Sequence, residues 1–132
     1  MAKNGHHKYY GPNFDLYIGN AGRKGLGVFT DVDIPAYVWI EVCPLVLLKD
    51  PWAEELDKFY YEWDDETCGL AMGLGSFYNH AVNPNATFMV GCVAGYSKKP
   101  TVGIKALGRI KRGTEITINY NGTPGDRTPW EF

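Results

Sequence analysis

The sequence predicts a single, mainly β domain with about one short helix. Three observations carry that expectation. The 132 residues amount to roughly one domain, long enough to bury about two thirds of the unfolded surface. The 16 Gly and 8 Pro supply more turn chemistry than a helical bundle uses. Apolar residues also recur mostly in short period-two runs between those turns.

Along the chain, residues 1–12 read as a flexible tail, with His6-His7 a solvated pair. Phe14, Leu16 and Ile18 alternate with Asp15 and Tyr17, the period of a half-buried strand. Residues 19–27 form a glycine-dense turn, after which Val28-Phe29 resumes a strand. Residues 31–35 turn again, and residues 38–48 read as β, interrupted at Pro44. Asp50-Pro51-Trp52 has the residues of a helix start, an Asp N-cap before Pro at the first helical position. Trp52, Leu56, Phe59 and Trp63 follow at helical spacing, so the short helix is expected to end near residues 63–65. Residues 69–75 are small and apolar, and residues 76–85 form a polar insertion. Strands are expected over 87–94, 101–106 and 114–120, with Gly113 turning the chain before the last. The final residues, 121–132, are loop-like, but Trp130 and Phe132 point to docking rather than fraying.

Composition excludes several classes. A net charge of −2 does not suggest a nucleic-acid binder. No stretch reaches about 18 apolar residues, so no membrane-spanning helix is expected. The start, Met1-Ala2-Lys3-Asn4-Gly5, lacks the apolar core of a secretory signal. Cys43, Cys68 and Cys92 are scattered and odd in number, which argues against a disulfide framework or zinc cluster and fits an intracellular setting. Charge is unevenly spread. Residues 50–66 carry eight acids against Lys58 alone, and residues 98–112 carry six bases and no acid. These are solvated faces, or the acidic segment attracts a basic ligand.

Three segments hold polar residues that need a reason. Gly25-Leu26-Gly27 requires a sharp bend or a close approach of backbone to something else. Its spacing is not the dinucleotide fingerprint, and a strand follows it rather than a helix. Asn79-His80, with Asn83-Pro84-Asn85, is costly to bury without partners, yet Phe77, Tyr78 and Val82 imply partial burial. It is a hydrogen-bond knot, a metal site or a polar ligand pocket. The metal reading is weak because His80 is the only histidine outside the N-terminal tail. The third segment, 113–120, is a strand ending on Tyr120.

In this order within one short chain, the three segments resemble the signature of the SET-domain lysine methyltransferases. Lys24-Gly25-Leu26-Gly27-Val28-Phe29 resembles the family's K-G-x-G turn, Asn79-His80 with Pro84-Asn85 its N-H-S-C-x-P-N stretch, and residues 113–120 its G-E-E-L/I-T-x-x-Y strand. Residues 70–75 are similar to a run in the minimal bacterial and viral members. The resemblance implies the SET-domain fold, a β-clip of several small twisted sheets around a C-terminal pseudoknot. That domain would span 13–121, with 122–132 docking on the site. It implies S-adenosylmethionine as methyl donor, S-adenosylhomocysteine as product and no metal. By this resemblance the backbone of Lys24, Gly25, Leu26 and Gly27 lies along the donor's methionine part. Asn79 and His80 hold the donor, and Trp130 or Phe132 covers the adenine. Tyr120 is the catalytic phenol, and the lysine channel is drawn from Phe59, Tyr60, Tyr61, Phe77, Tyr78 and Tyr120. The acceptor implied is a basic protein or peptide, histone or histone-like, with no direct nucleic-acid or membrane partner; a homodimer stays open.

The chain departs from the family pattern at four places. Ser76 stands for Arg, Ala81-Val82 for Ser-Cys, Tyr37 near a Gly and Phe59 for a frequent Tyr. These keep two alternatives open: a catalytically inactive SET-fold scaffold, and a methyltransferase acting on a small amine.

Overall fold

The computed structural model describes residues 10–49, 59–91 and 100–129, which form two sheets. The larger is built around one long strand. β1 (Gly11–Pro12) pairs antiparallel with β4 (Trp39–Lys49), Gly11 opposite Val42 and Pro12 opposite Glu41. The sheet therefore begins inside the stretch expected to be a flexible tail. The smaller sheet opens with β2 (Leu16–Asn20) and β3 (Leu26–Thr30), joined by a 3-10 turn at Gly22–Lys24.

β4 serves two partners in succession. Its first half pairs with β9 (Thr101–Ala106), and its second half with β6 (Thr67–Ala71). Pro44 stands at the hand-over. Its carbonyl accepts the Met72 N–H at 2.9 Å, and the Leu45 N–H goes to the Pro100 carbonyl at 3.1 Å. Because the ladder changes partner there, the N–H that proline lacks is not needed. The strand runs through Pro44, where an interruption was expected. β5 (Tyr60–Asp64) and β8 (Ala86–Gly91) complete the larger sheet, in the order β5-β6-β4-β9-β8.

β5 corrects the helix expectation. Residues 60–64, assigned to the end of the helix, are a strand paired with β6, while residues 50–58 lie outside the described residues. An apolar run this short fits either period, and pairing decides it. β6 was read only as a small apolar stretch. Its Gly69 lies close against β4: a Cβ there would sit 3.0 Å from the Leu45 side chain, which would have to give by a few tenths of an ångström.

In the smaller sheet, β10 (Glu115–Ile118) lies between β3, antiparallel, and β7 (Asn79–His80), parallel. The segment after β7 is stitched to β10 by Asn85. Its side chain accepts the Thr117 N–H and donates to the Glu115 carbonyl, at 2.9 and 2.8 Å. Two similar turns are clasped to each other by reciprocal bonds between Ile34 and Ile110, at 2.8 and 2.9 Å. Each turn reaches positive φ three residues later, at Tyr37 (64°) and Gly113 (83°). Glycine adopts that conformation freely; tyrosine does so with strain. The core is shared by both sheets and includes Val28, Ile40, Cys43, Ile104, Ile116 and Ile118. Among the described residues, no helix is long and apolar enough to cross a membrane.

Candidate active site

The parallel β7–β10 pairing sets Asn79 opposite Thr117 and His80 opposite Ile118. Tyr120, two residues beyond β10, therefore emerges beside the Asn79-His80 pair, forty residues away in sequence. The His80 ring accepts the Tyr120 N–H through Nδ1 at 3.0 Å. The Tyr120 hydroxyl donates to the Tyr78 carbonyl at 2.8 Å. Both ends of Tyr120 are thus fixed by residues of the 78–80 segment. Burial pushes the Tyr120 phenol up to about 12, with the Glu115 charge adding to the effect. At neutral pH it is a neutral donor. Burial also lowers the His80 pKa, against the opposing pull of Asp126, and keeps Nδ1 free to accept.

Two cavities meet at this phenol. One, of about 420 Å³, is lined by the aromatic rings of Phe59, Tyr60, Tyr61, Tyr78, Phe88 and Tyr120, with Glu62, Asn121 and Gly122 among its other residues. The second, of about 610 Å³, is lined by Arg23, Lys24, Gly25, Leu26, Phe77, Asn79, His80 and Tyr120. Phe59, Ser76 and Tyr120 border both. Both volumes lie in the range of small-molecule sites.

Most of the expected site residues fall where these cavities are. Two described residues are exceptions: Phe77, expected in the channel, lines the Lys24–His80 cleft instead and is part exposed, and Gly27, expected along the donor, is buried and borders neither cavity. Trp130 and Phe132 lie outside the described residues. Sequence reasoning missed Phe88 and Val90, which face the aromatic cavity from β8; the Phe88 ring meets Tyr61 edge-on at 5.2 Å. Their two-residue spacing was a usable signal for a shared face.

Glu115 was also missed, and it ties the three motif segments together. One oxygen takes the Lys24 ammonium at 2.6 Å, and the other takes the Asn79 amide at 2.8 Å. The same Asn79 nitrogen donates to the Leu26 carbonyl at 2.9 Å. Gly27 lies under this knot. A Cβ there would strike the Glu115 carboxylate and come within 2.8 Å of the Asn79 nitrogen. The half-exposed ion pair adds little stability; its effect is to fix where Asn79 and Lys24 point. Gly25, at φ 84°, has open space where a side chain would be, so its backbone faces the cleft unobstructed.

The C-terminal segment packs against the same region. The Val82 carbonyl accepts the Gly125 N–H at 2.7 Å and the Asn119 amide at 3.2 Å, and Asn119 also donates to the Asp126 carbonyl at 2.8 Å. At the position where the pattern has Cys, Val82 thus contributes its backbone. Ser76 donates its hydroxyl to the Ala71 carbonyl at 3.1 Å. Tyr61 donates to the Gly75 carbonyl at 2.7 Å across the aromatic cavity, and burial raises its pKa well above the ordinary value. Among the described residues, no cluster of three His, Cys, Asp or Glu side chains is placed to hold a metal ion.

The phenol thus stands between an aromatic cleft and a polar cleft, an arrangement that can bring two ligands together from different sides. Residues 25–121 match the SET domain family. The chain belongs to that family, and with it to the lysine methyltransferase enzymes. It is 33% identical over 115 residues to a histone-lysine N-methyltransferase of Schizosaccharomyces pombe specific for H3 lysine-37. The alignment covers 80% of this chain and 72% of that protein. A crystal structure of a candidate histone methyltransferase from Plasmodium falciparum superposes with a TM-score of 0.71 at 29% identity. That match covers 83% of this chain and 99% of the other.

Proposed function

We propose that this enzyme transfers a methyl group from S-adenosylmethionine to the side-chain amine of a lysine in a basic protein, such as a histone tail. The observation that carries the reading is the position of Tyr120, bordering both cavities with its hydroxyl fixed on the Tyr78 carbonyl.

The polar cleft suits the donor. The open backbone at Lys24–Leu26 and the fixed Asn79 amide would hold its amino-acid end, and His80 would border its nucleoside. When bound, the donor supplies an electrophilic methyl on sulfonium and leaves as S-adenosylhomocysteine. The aromatic cleft suits the acceptor. A free lysine amine has a pKa near 10.4, and a wall of rings disfavours the ammonium by desolvation. The same rings tolerate a methylated cation through their faces. Tyr120, protonated at working pH, orients the amine and takes no proton. Carbonyls gathered there, Tyr78 among them, can accept weak C–H···O contacts from a methyl group. Alignment of this kind supplies roughly 7 kcal/mol or more of barrier lowering.

Charge near the aromatic cavity supports a basic acceptor. Glu62 lines it, and Asp64, Asp65 and Glu66 follow, exposed, along and just beyond β5. The three scattered cysteines, odd in number, support an intracellular site of action. Incubation with donor and histone-derived basic peptides, read by mass spectrometry, tests the proposal. Gain of one methylene on a lysine is expected. Donor binding without transfer to any peptide would point to a small-amine acceptor, and absence of donor binding to a scaffold.

A further inference from the structure

We propose that Glu41 is a positioning residue for the transfer site, holding Tyr78 and, through Tyr78, the carbonyl on which the Tyr120 hydroxyl rests. The inference builds on the proposed function and assigns the buried carboxylate beneath the site.

Glu41 is completely buried near the start of β4, between Pro12 of β1 and Ile104 of β9. A register shift between Trp39 and Glu41 interrupts the β4–β9 ladder. Four consecutive residues, from Ile40 to Cys43, are buried there. A bulge of this kind re-aims side chains, and here a carboxylate lies where alternation alone would have spread the burial.

Its two oxygens are spoken for by one stretch of chain. Oε1 accepts the Tyr78 hydroxyl at 2.6 Å, and Oε2 accepts the Leu74 N–H at 3.0 Å. Gly73 crosses at φ 68°, so close that a Cβ would sit 2.8 Å from Oε2. The Cys43 thiol is the third neighbour, and the charge and hydrogen bond of Glu41 help burial to raise its pKa. Among the described residues no Lys, Arg or His forms an ion pair with Glu41. A carboxylate buried among neutral donors is a poor way to fill a core, since an apolar side chain of similar volume would do so without the desolvation penalty. What it adds is direction. Fully satisfied buried networks hold one arrangement, and this one holds the 73–78 segment.

That segment is a wall of the aromatic cavity, through Gly75, Ser76 and Tyr78, and it runs directly into Asn79-His80. Tyr78 is therefore pinned at two points. Its hydroxyl is held from below by Glu41, and its carbonyl receives the Tyr120 hydroxyl at 2.8 Å. Releasing the lower pin lets the upper one drift, and a misplacement of about 1 Å costs on the order of 100-fold in rate.

The test compares the parent with Glu41→Gln, Tyr78→Phe and the double variant. Steady-state kinetics use donor and a basic peptide, at a temperature well below each melting point. Each single variant is expected to lose about 10- to 100-fold in kcat, with the peptide KM and the calorimetric donor Kd within about threefold of the parent. The double variant should be no worse than the worse single one, since both cut the same connection. A loss of stability alone would leave kcat at that temperature unchanged. Single variants within about twofold of the parent in kcat, or losses that multiply in the double variant, would overturn the inference. Should Glu41→Gln fail to fold, Tyr78→Phe carries the same comparison. A second readout needs no turnover. With meta-fluorotyrosine incorporated, the fluorine resonance of Tyr120, assigned by Tyr120→Phe, should shift or broaden in both variants. An unchanged resonance sinks the positioning role. A parent that transfers no methyl while that resonance still responds sinks the proposed function instead.

Discussion

Tyr120→Phe removes one oxygen from the centre of the site and tests the catalytic reading most directly. The lost atom donates to the Tyr78 carbonyl at 2.8 Å. The ring and its contact with His80, centroids 5.2 Å apart, remain, as does the backbone bond to His80 Nδ1. Losing one partly buried hydrogen bond costs about 1 kcal/mol of stability, so the variant should fold. Donor affinity should change by less than about threefold, because the Tyr120 ring stays in place and the other residues lining the polar cleft are untouched. Transfer should fall much further. Removing one preorganised polar contact from a transition state typically lowers kcat by about 10²- to 10³-fold, or about 2.7–4 kcal/mol at 1.36 kcal/mol per decade. The assay is single-turnover methylation of a basic peptide with donor saturating, beside calorimetric donor titration. The pH profile adds a sign. The parent rate should rise with pH across roughly 7–9 as the acceptor amine, ordinarily near 10.4, loses its proton. Tyr120 itself titrates only at about 12, so the limb should keep its shape in Tyr120→Phe. A variant as fast as the parent, or a limb that moves by about a unit, would mean that the phenol has been given the wrong task.

Three further outcomes follow from the geometry. Gly27→Ala should displace Glu115 and Asn79, because its new Cβ overlaps both; calorimetry should show donor affinity at least about tenfold weaker, near 1.4 kcal/mol, and an unchanged affinity would separate this knot from the donor. The His80 pKa is lowered by burial, so the unfolded chain takes up that proton first. Its share of stability is complete above the unfolded value of about 6.5 and is lost as pH falls through the lower folded value. Urea unfolding at a series of pH values should show that loss in the parent and a flatter curve in His80→Gln; identical curves would count against it. Tyr37 sits at φ 64° and is 72% exposed. Tyr37→Gly should therefore leave stability unchanged or raise it by up to about 1 kcal/mol, relief of strain outweighing the added chain entropy, whereas a fall of that size in thermal unfolding would contradict the strain.

Where local pattern and pairing agreed, the chain was legible before its structure. β9 occupies the expected Thr101–Ala106, and Tyr120, Asn79 and His80 converge as the ordered motifs implied. The misses have physical causes. Phe59 and Trp63 were drawn into a helix by their spacing, but Tyr61, Glu62, Trp63 and Asp64 also alternate as an edge strand does, and only β6 settles which period wins. β6 carries a glycine in its centre, a residue depleted in strands, where a Cβ would crowd the Leu45 side chain. Tyr37 was noted as standing near a glycine of the family pattern, and it takes the positive φ that glycine adopts freely. Glu115 and Glu41 were passed over because their meaning lies in partners 36 and 37 positions away, Asn79 and Tyr78. No local window contains both members of either pair.

The parallel seam between Asn79–His80 and the strand ending at Ile118 has a consequence for biogenesis. Translation delivers the first member of the seam some forty residues before the second. Closing so distant a contact is among the slower events in folding. Until it closes, the imidazole has no amide to receive and the phenol has no carbonyl to rest on. Assembly of the site therefore waits for residue 120, and a chain stalled short of it carries most of a sheet without the phenol.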